Sequence, residues 1–399
     1  MIAVIAAIVF AGVVACLMLP RVVQSNTWRA TSTPLASIIG SGFLVALPIL
    51  TDLVGRWAIL PMAGLLIVAY LIGGAVRYNI AHVEPLLEDG KAPLRVLVLE
   101  RASDGVLTFA YFVSVAYYLV LFSSFLLKFF GSTDATTGKW ITTGLLASIG
   151  GVGYWRGFRA VEGMEIFAVS IKLAVIAGLI AAVAVFDASA PAHAFKGPGN
   201  GFSLATIPAL LGLLIVVQGF ETSRFLGAQY DSQTRIRTMK LAQLISGAIY
   251  VAFFLVMLPV AGFGTSGEGV TAIVDMLRPV SVALPLFLTV GALASQSSAA
   301  IADTLGASGL VHANFSKVLA PRDTYPILAA IAIFVTWRTN VFSLVALASR
   351  CFALYYALQC GQAAMSAYGR GEWRRAAGFV CIMLVAALVL IVGAPAEGG

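Results

Sequence analysis

The chain has 399 residues, of which 60% are apolar and 11% charged, with a formal net charge of +7. Soluble domains carry about 25% charged residues, so this deficit, with a mean hydropathy of +0.96, excludes an ordinary soluble fold. Apolar runs long enough to cross a bilayer recur along almost the whole length, whereas a β-barrel would show short alternating segments; the composition predicts an all-α polytopic membrane protein.

Twelve spans are predicted, at roughly 2–20, 33–51, 57–77, 105–127, 139–154, 162–186, 205–227, 241–264, 280–309, 325–337, 340–365 and 374–394. The first lacks the basic leader of a signal peptide, because Arg21 and Arg29 follow its apolar run; it reads as a span with its amino terminus outside. The second is interrupted by small residues in Pro34-Leu-Ala-Ser-Ile-Ile-Gly40-Ser41-Gly42-Phe43. Residues 78–104 form the longest cytoplasmic connection, and the run 94–99 within it predicts a short interfacial helix. Tyr111, Val115, Tyr118 and Phe122 follow at the spacing of one helical face. Lys172 stands in mid-span, and the Ala-, Pro- and Gly-rich loop 187–203 is expected outside.

The seventh span is interrupted like the second, in Leu214-Ile-Val-Val-Gln218-Gly219-Phe220-Glu221-Thr222. Residues 228–240 read as a solvated cytoplasmic connection. Ser295-Gln-Ser-Ser298 and Asp303 lie in the ninth span; Arg350, then Tyr355 and Tyr356, lie in the eleventh. Glycine weakens a helix by roughly 1 kcal/mol relative to alanine and lets backbone approach a bound group. Two broken helices at matching places in two halves point to a transporter's substrate site.

Charge orients the chain. Of 25 Lys and Arg residues, Arg56, Lys128, Lys139, Lys196, Arg278 and Arg338 fall outside or at that border, and Lys172 and Arg350 within spans. The remaining seventeen fall on cytoplasmic segments, the bias expected of inner loops, so the basic balance needs no nucleic-acid partner. Cys16, Cys351, Cys360 and Cys381 sit in apolar runs without metal-ligand spacing, and His82, His193 and His312 are scattered. No phosphate-cradling Gly-rich loop ends in Lys-Ser or Lys-Thr. Neither an enzyme, a metal site, a cofactor nor ATP-driven pumping is expected.

Gly40 maps onto Gly219 at an offset of 179, and Lys172 onto Arg350 at 178. Each basic residue falls in the fifth helix of its half, and five helices invert the second half relative to the first. The layout is one transmembrane domain over 1–399: an extra helix (1–30), a first repeat (31–186), an inverted second repeat (205–365), and a closing helix with tail (370–399).

These residues carry a resemblance. Ile38-Ile-Gly-Ser-Gly-Phe43 resembles the first core helix of the amino acid–polyamine–organocation (APC) transporter superfamily, and Gly219-Phe-Glu-Thr-Ser223 resembles the break in its sixth. Trp155-Arg-Gly157 with Ile171-Lys172-Leu173 resembles the entry to its fifth helix and the membrane lysine there, and Ser295-Gln-Ser-Ser298 the hydroxyl stretch of its eighth. The resemblance spans 33–365 and implies a LeuT-like five-plus-five fold and secondary transport of amino acids or related amines by alternating access. The leading helix departs from the commoner layout. A lysine at this position in the family stands where sodium-coupled relatives bind an ion, which implies proton-linked or exchange transport without sodium.

Exposed N–H groups at a half-helix start suit a carboxylate, which assigns Ser41, Gly42 and Phe43 to a substrate carboxylate, with Gly40 permitting the turn. Carbonyls freed around Gln218 and Gly219, beside Phe220 and Glu221, suit an ammonium group, and Tyr118 is a candidate to close the pocket. A lysine in mid-membrane is costly unless paired or neutral, so Lys172 is a candidate for proton coupling. Glu221, Asp303 and Arg350 are the other deep charges, of which acids and bases are expected to pair, with Asp303 favoured for a cytoplasmic gate. Ser297 and Ser298, candidate coupling residues, read either as helix packing or as remnants of a sodium site, against which Lys172 argues. Two rival readings stand beside this one: an inorganic cation symporter, for potassium for example, supported by Glu221 and Asp303, and a non-transporting membrane sensor. The expected partners are a small amino acid or amine, protons and the lipid bilayer, and the expected location is a bacterial inner membrane.

Overall fold

The computed structural model describes residues 1–40, 42–189, 201–261, 271–315 and 319–394. Apolar chain in lipid must satisfy its own N–H and C=O groups, and a helix does so within one segment; the described residues form helices and no strand. Helix α1 (Ile2–Leu17) leads through the short α2 (Pro20–Val23) to α3 (Asn26–Ile38), and α4 (Gly42–Val54) continues its path after a break. The first half is completed by α5 (Ile59–His82), the short α6 (Glu84–Glu88), α7 (Leu94–Phe129), α8 (Ala135–Arg156) and α9 (Phe158–Ser189). The second opens with α10 (Ile207–Gly212) and two 3₁₀ stretches, Leu213–Val217 and Phe220–Leu226. Then come α11 (Ser232–Ala261), α12 (Ala272–Met276), α13 (Leu284–Phe315), α14 (Thr324–Arg338) and α15 (Val341–Gly369), and α16 (Trp373–Val392) closes the bundle.

The twelve expected spans fall on these helices and on the two broken segments. Polar caps set several starts: Asp134 accepts the N–H groups of Thr136 (3.2 Å) and Thr137 (2.9 Å), and Asn340 that of Ser343 (2.8 Å). One expectation is corrected. The run 94–99 is no separate interfacial helix but the first turns of α7, because after Pro93 no proline interrupts the chain until Phe129. Most of the loop 187–203 lies outside the described residues.

The broken helix α3–α4 occupies the middle of the bundle: 82% of its apolar window is buried, against 17% for α16. Every residue from 30 to 40 is buried. The two breaks touch each other. Gly219 has φ +112°, and a Cβ there would lie 2.3 Å from Ser37 Oγ; a Cβ on Gly42 would lie 2.2 Å from the carbonyl oxygen of Val216. Only glycine fits either place, one for its φ and both for the approach. Tyr250 of α11 fastens the crossing, its hydroxyl lying 3.0 Å from Ile38 O and 2.7 Å from Val216 O.

A polar cluster ties the second broken segment to one end of the bundle. Arg224 donates to Glu84 Oε1 (3.2 Å) and Glu100 Oε1 (2.7 Å), and Arg235 to Glu84 Oε2 (2.7 Å) and to the Arg224 carbonyl (2.6 Å). Arg224 also reaches Gln359, which accepts from Asn79 (2.8 Å) and donates to Ser103 (2.9 Å). Five elements besides its own (α5, α6, α7, α11 and α15) therefore meet around this guanidinium. It lines a cavity of about 700 Å³ shared with Glu88, Asp104, His312 and Arg322.

Two predictions follow from packing alone. Gly42→Ala is expected to destabilise the detergent-solubilised protein by about 1–3 kcal/mol, the usual cost of overpacking, whereas Gly12→Ala, with nothing within 4 Å, should not destabilise it. Equal melting temperatures would refute the close crossing. Arg224→Ala is expected to cost about 3–5 kcal/mol, because it leaves buried carboxylates uncompensated. Thermal unfolding of Arg224→Ala, Glu100→Gln and the double variant should show strongly non-additive losses; additivity within about 0.5 kcal/mol would mean the two do not interact.

Candidate functional site

A helix end leaves carbonyls without partners and with partial negative charge. At the end of α3 these are filled by side chains. Lys172 of α9, 0% exposed, donates to Ala36 O (2.7 Å), Ile39 O (2.7 Å) and Ser298 Oγ (2.9 Å), which uses all three of its ammonium protons. Ser295 lies 2.8 Å from Ile39 O and 2.6 Å from Gly40 O. Glu165, seven residues before Lys172 on the same helix, is buried and accepts from Thr33 Oγ1 (3.3 Å). Sequence reasoning passed over Glu165, although a spacing of seven puts it two turns from the lysine on one face.

The second break is held from within. Glu221 Oε2 accepts the N–H of Gly219 (3.0 Å) and the hydroxyl of Tyr356 (2.7 Å). The Gly219 carbonyl accepts from Thr222 Oγ1 (2.7 Å), so this one of the carbonyls expected to receive an ammonium is already engaged. Gln218 donates to the Tyr118 hydroxyl (2.9 Å), and the Tyr118 ring closes over Gly40, whose Cβ would lie 2.8 Å from it. Phe220 stacks on Tyr356 with centroids 5.2 Å apart. Phe43 turns toward α11, edge-on to Phe253 at 5.0 Å and to Tyr250 at 6.4 Å.

Asp303 joins α13 to both neighbours, accepting from Ser37 Oγ (2.6 Å) of α3 and from Ser114 Oγ of α7. The expectation that it pairs with a deep base is corrected: its partners are hydroxyls. Arg350 is corrected too. It is exposed on α15 and reaches the Gly393 carbonyl (3.3 Å), because a long side chain can run out to a polar terminus. Its neighbour Ser349 takes the inward position and donates to Gly212 O (2.7 Å), mirroring what Lys172 does at α3. Ser297 is half-buried and bonds back to Leu293 O (2.6 Å) of its own helix. Ser41 lies outside the described residues.

The structure thus gathers Gly40, Gly42, Gln218, Gly219, Phe220, Glu221, Tyr118, Lys172, Ser298 and Asp303 around the crossing of the two breaks, with Phe43 at its edge and Ser297 and Arg350 apart. Ser37, Ser114, Ser295 and Tyr356 join them; Ser295 and Tyr356 stand in stretches the sequence already marks, whereas Ser37 and Ser114 offer only hydroxyls, which are common in packed membrane helices. Among the described residues no cluster of His, Cys, Asp and Glu could hold a metal ion.

Comparison with known proteins places this arrangement. A family model for APC superfamily transporters matches residues 20–393. An uncharacterized protein of Aquifex aeolicus (strain VF5) is 40% identical over 377 residues, 94% of this chain and 92% of that one. Two solved structures share the fold. A Na⁺-coupled sialic acid symporter in a substrate-bound outward-open state superposes with a TM-score of 0.54 at 12% identity, covering 96% of this chain and 97% of that one. Mhp1, a nucleobase-cation-symport-1 family transporter closed on bromovinylhydantoin, gives 0.50 at 14% identity, covering 92% and 91%. The all-α chain has the LeuT-type inverted-repeat fold, and it belongs to the APC superfamily of transporters.

Proposed function

We propose that this transporter carries amino acids or related amines by alternating access, coupled to protons or in exchange, and independently of sodium. The observation that carries the reading is the Lys172 ammonium at the broken end of α3. Its partners, two backbone carbonyls and a serine hydroxyl, are the hard oxygen donors an inorganic cation would use. A covalently attached ammonium there supplies the positive charge that the carbonyl ends need, and it can come and go only as a proton. The N–H groups opening α4 offer a carboxylate site, and the unpartnered Gln218 Oε1 and Glu221 Oε1 offer acceptors to an ammonium group. A zwitterion has both ends.

On this reading the Arg224 cluster faces the cytoplasm of a bacterial cell, as the excess of Lys and Arg on that side supports, and acts as the inner closure. At the opposite end Lys128 pairs with Asp275 (2.9 Å) beside a cavity of about 480 Å³ lined by Lys139, Asp134 and Asn340. Alternating access on this reading releases one end while the other stays shut. An inorganic cation symporter is the second reading, favoured by two buried acids that form no ion pair among the described residues.

Proteoliposomes test both. Labelled amino acids are expected to show counterflow, and uptake should respond to an imposed pH gradient but not to replacement of sodium by choline. Lys172→Ala should abolish the pH-driven component. Absence of amino acid or amine movement under any gradient, with potassium movement instead, would favour the second reading; an unaltered pH response in Lys172→Ala would remove the lysine from coupling.

A further inference from the structure

The end of the bundle opposite the Arg224 cluster is poor in basic residues, and most of those it has are gathered in one place. By sequence six lie at that end or its border: Arg56, Lys128, Lys139, Lys196, Arg278 and Arg338. Lys196 lies outside the described residues, and Arg56 stands over the Trp57 ring at 5.1 Å. The other four gather around the cavity of about 480 Å³. Lys128, near the end of α7, lines it and lies 2.9 Å from Asp275 Oδ2 of α12; Arg278 lies 3.3 Å from Asp275 Oδ1. Lys139 of α8 lines it too and donates to the carbonyl of Trp337 (3.5 Å), the residue before Arg338 at the end of α14. Outward segments are the ones that membrane proteins keep poor in Lys and Arg, so four together ask for a counter-charge.

The acids present do not supply it. Asp275 serves Lys128 and Arg278. Asp134 is turned to its own helix start, accepting from Thr136 N (3.2 Å) and Thr137 N (2.9 Å). Lys139 and Arg338 therefore have no carboxylate partner among the described residues; each lies over an aromatic ring instead, Lys139 at 5.8 Å from Trp337 and Arg338 at 5.5 Å from Phe334.

The cavity between the end of α7, the start of α8 and the turn from α14 to α15 has a volume within the roughly 300–1,000 Å³ of ligand sites. Its wall has two characters. Val120, Leu127 and Leu344 form an aliphatic side, whereas Ser132, Thr339 and Asn340 place hydroxyls and an amide near Lys139. Around it Phe130, Trp140 and Trp337 are exposed, the two tryptophans packed edge-on at 5.0 Å. Exposed Trp at a span end marks the headgroup level of a bilayer. Excess positive charge, an aliphatic wall and this depth together fit an amphiphile with an anionic head. A soluble anion has no use for the aliphatic side, and a zwitterion leaves the charge excess unmet.

We propose that this cavity binds an anionic glycerophospholipid, with its phosphate met by Lys139 and Arg338 and the start of its acyl chains lying along Val120, Leu127 and Leu344. Such a lipid joins α7 and α8 of the first half to α14 and α15 of the second. The site is separate from the crossing of the two breaks and does not depend on the transport reading.

Thermal unfolding of the purified full-length protein in detergent tests this, with dioleoylphosphatidylglycerol, dioleoylphosphatidylcholine or sodium phosphate added. Phosphatidylglycerol is expected to raise the melting temperature by about 2 °C or more, and the other two are not. Lys139→Gln/Arg338→Gln should lose the shift, whereas Arg56→Gln, a base of the same end away from the cavity, should keep it. If the double variant fails to fold, Ser132→Trp, which fills the cavity and leaves the bases in place, should lose the shift in its stead. No shift with phosphatidylglycerol, an equal shift from phosphatidylcholine, the whole shift from phosphate alone, an equal loss in Arg56→Gln, or persistence of the shift in the folded double variant or in Ser132→Trp would overturn the proposal. Counterflow is read separately: its absence with the lipid shift intact would count against transport and leave the lipid site standing.

Discussion

The structure depends on one constraint: two helices stop in the middle of a bilayer, and every backbone group freed there must find a partner inside the protein. At α3 the carbonyls of Ala36, Ile39 and Gly40 find Lys172 and Ser295, and the carbonyl of Ile38 meets Tyr250. At the second break Val216 shares that tyrosine, while Glu221 and Thr222 fold back onto Gly219. The crossing is therefore cross-linked by α9, α11 and α13, each belonging to a different part of the chain. Of these, Tyr250 of α11 touches both breaks.

The polar residues divide by job according to depth. Those at the bundle end are true ion pairs, Arg224 and Arg235 with Glu84 and Glu100, whose carboxylates keep some exposure to water. These opposite charges hold α6, α7, α11 and the second broken segment together at a partly wetted end of the bundle. Those at the centre are hydroxyls, amides, Lys172 bound to backbone carbonyls and Ser298, and two acids, Glu221 and Asp303, that form no ion pair among the described residues.

The inverted repeat is geometric before it is chemical. The glycine breaks correspond, Gly40 with Gly219, but the residues that fasten them do not. Lys172 brings a charge to α3, while the corresponding contact at α10 is the hydroxyl of Ser349. The first break is thus fastened by a lysine from another helix, and the second by Glu221 and Thr222 of its own segment.

Hydropathy and charge alone determined that the chain is helical, spans a membrane about twelve times and repeats itself inverted, since apolar length and broken periodicity are written locally in the sequence. The glycines, Gln218, Glu221, Lys172 and Asp303 were legible for the same reason: each is out of place in an apolar run. Tertiary structure alone decided how they are used. Arg350 looked as deep as Lys172 but faces outward, because the rotation of α15 about its axis is set by packing against α16 and not by hydropathy. Ser297 and Ser298 are neighbours in sequence, yet 100° of helical turn sends one back onto its own helix and the other to the lysine. Arg224 becomes the hub of five elements only when residues 79, 84, 100, 235 and 359 are brought around it. Partners that far apart in the chain leave no local mark, so the sequence named the unusual residues and the fold chose their company.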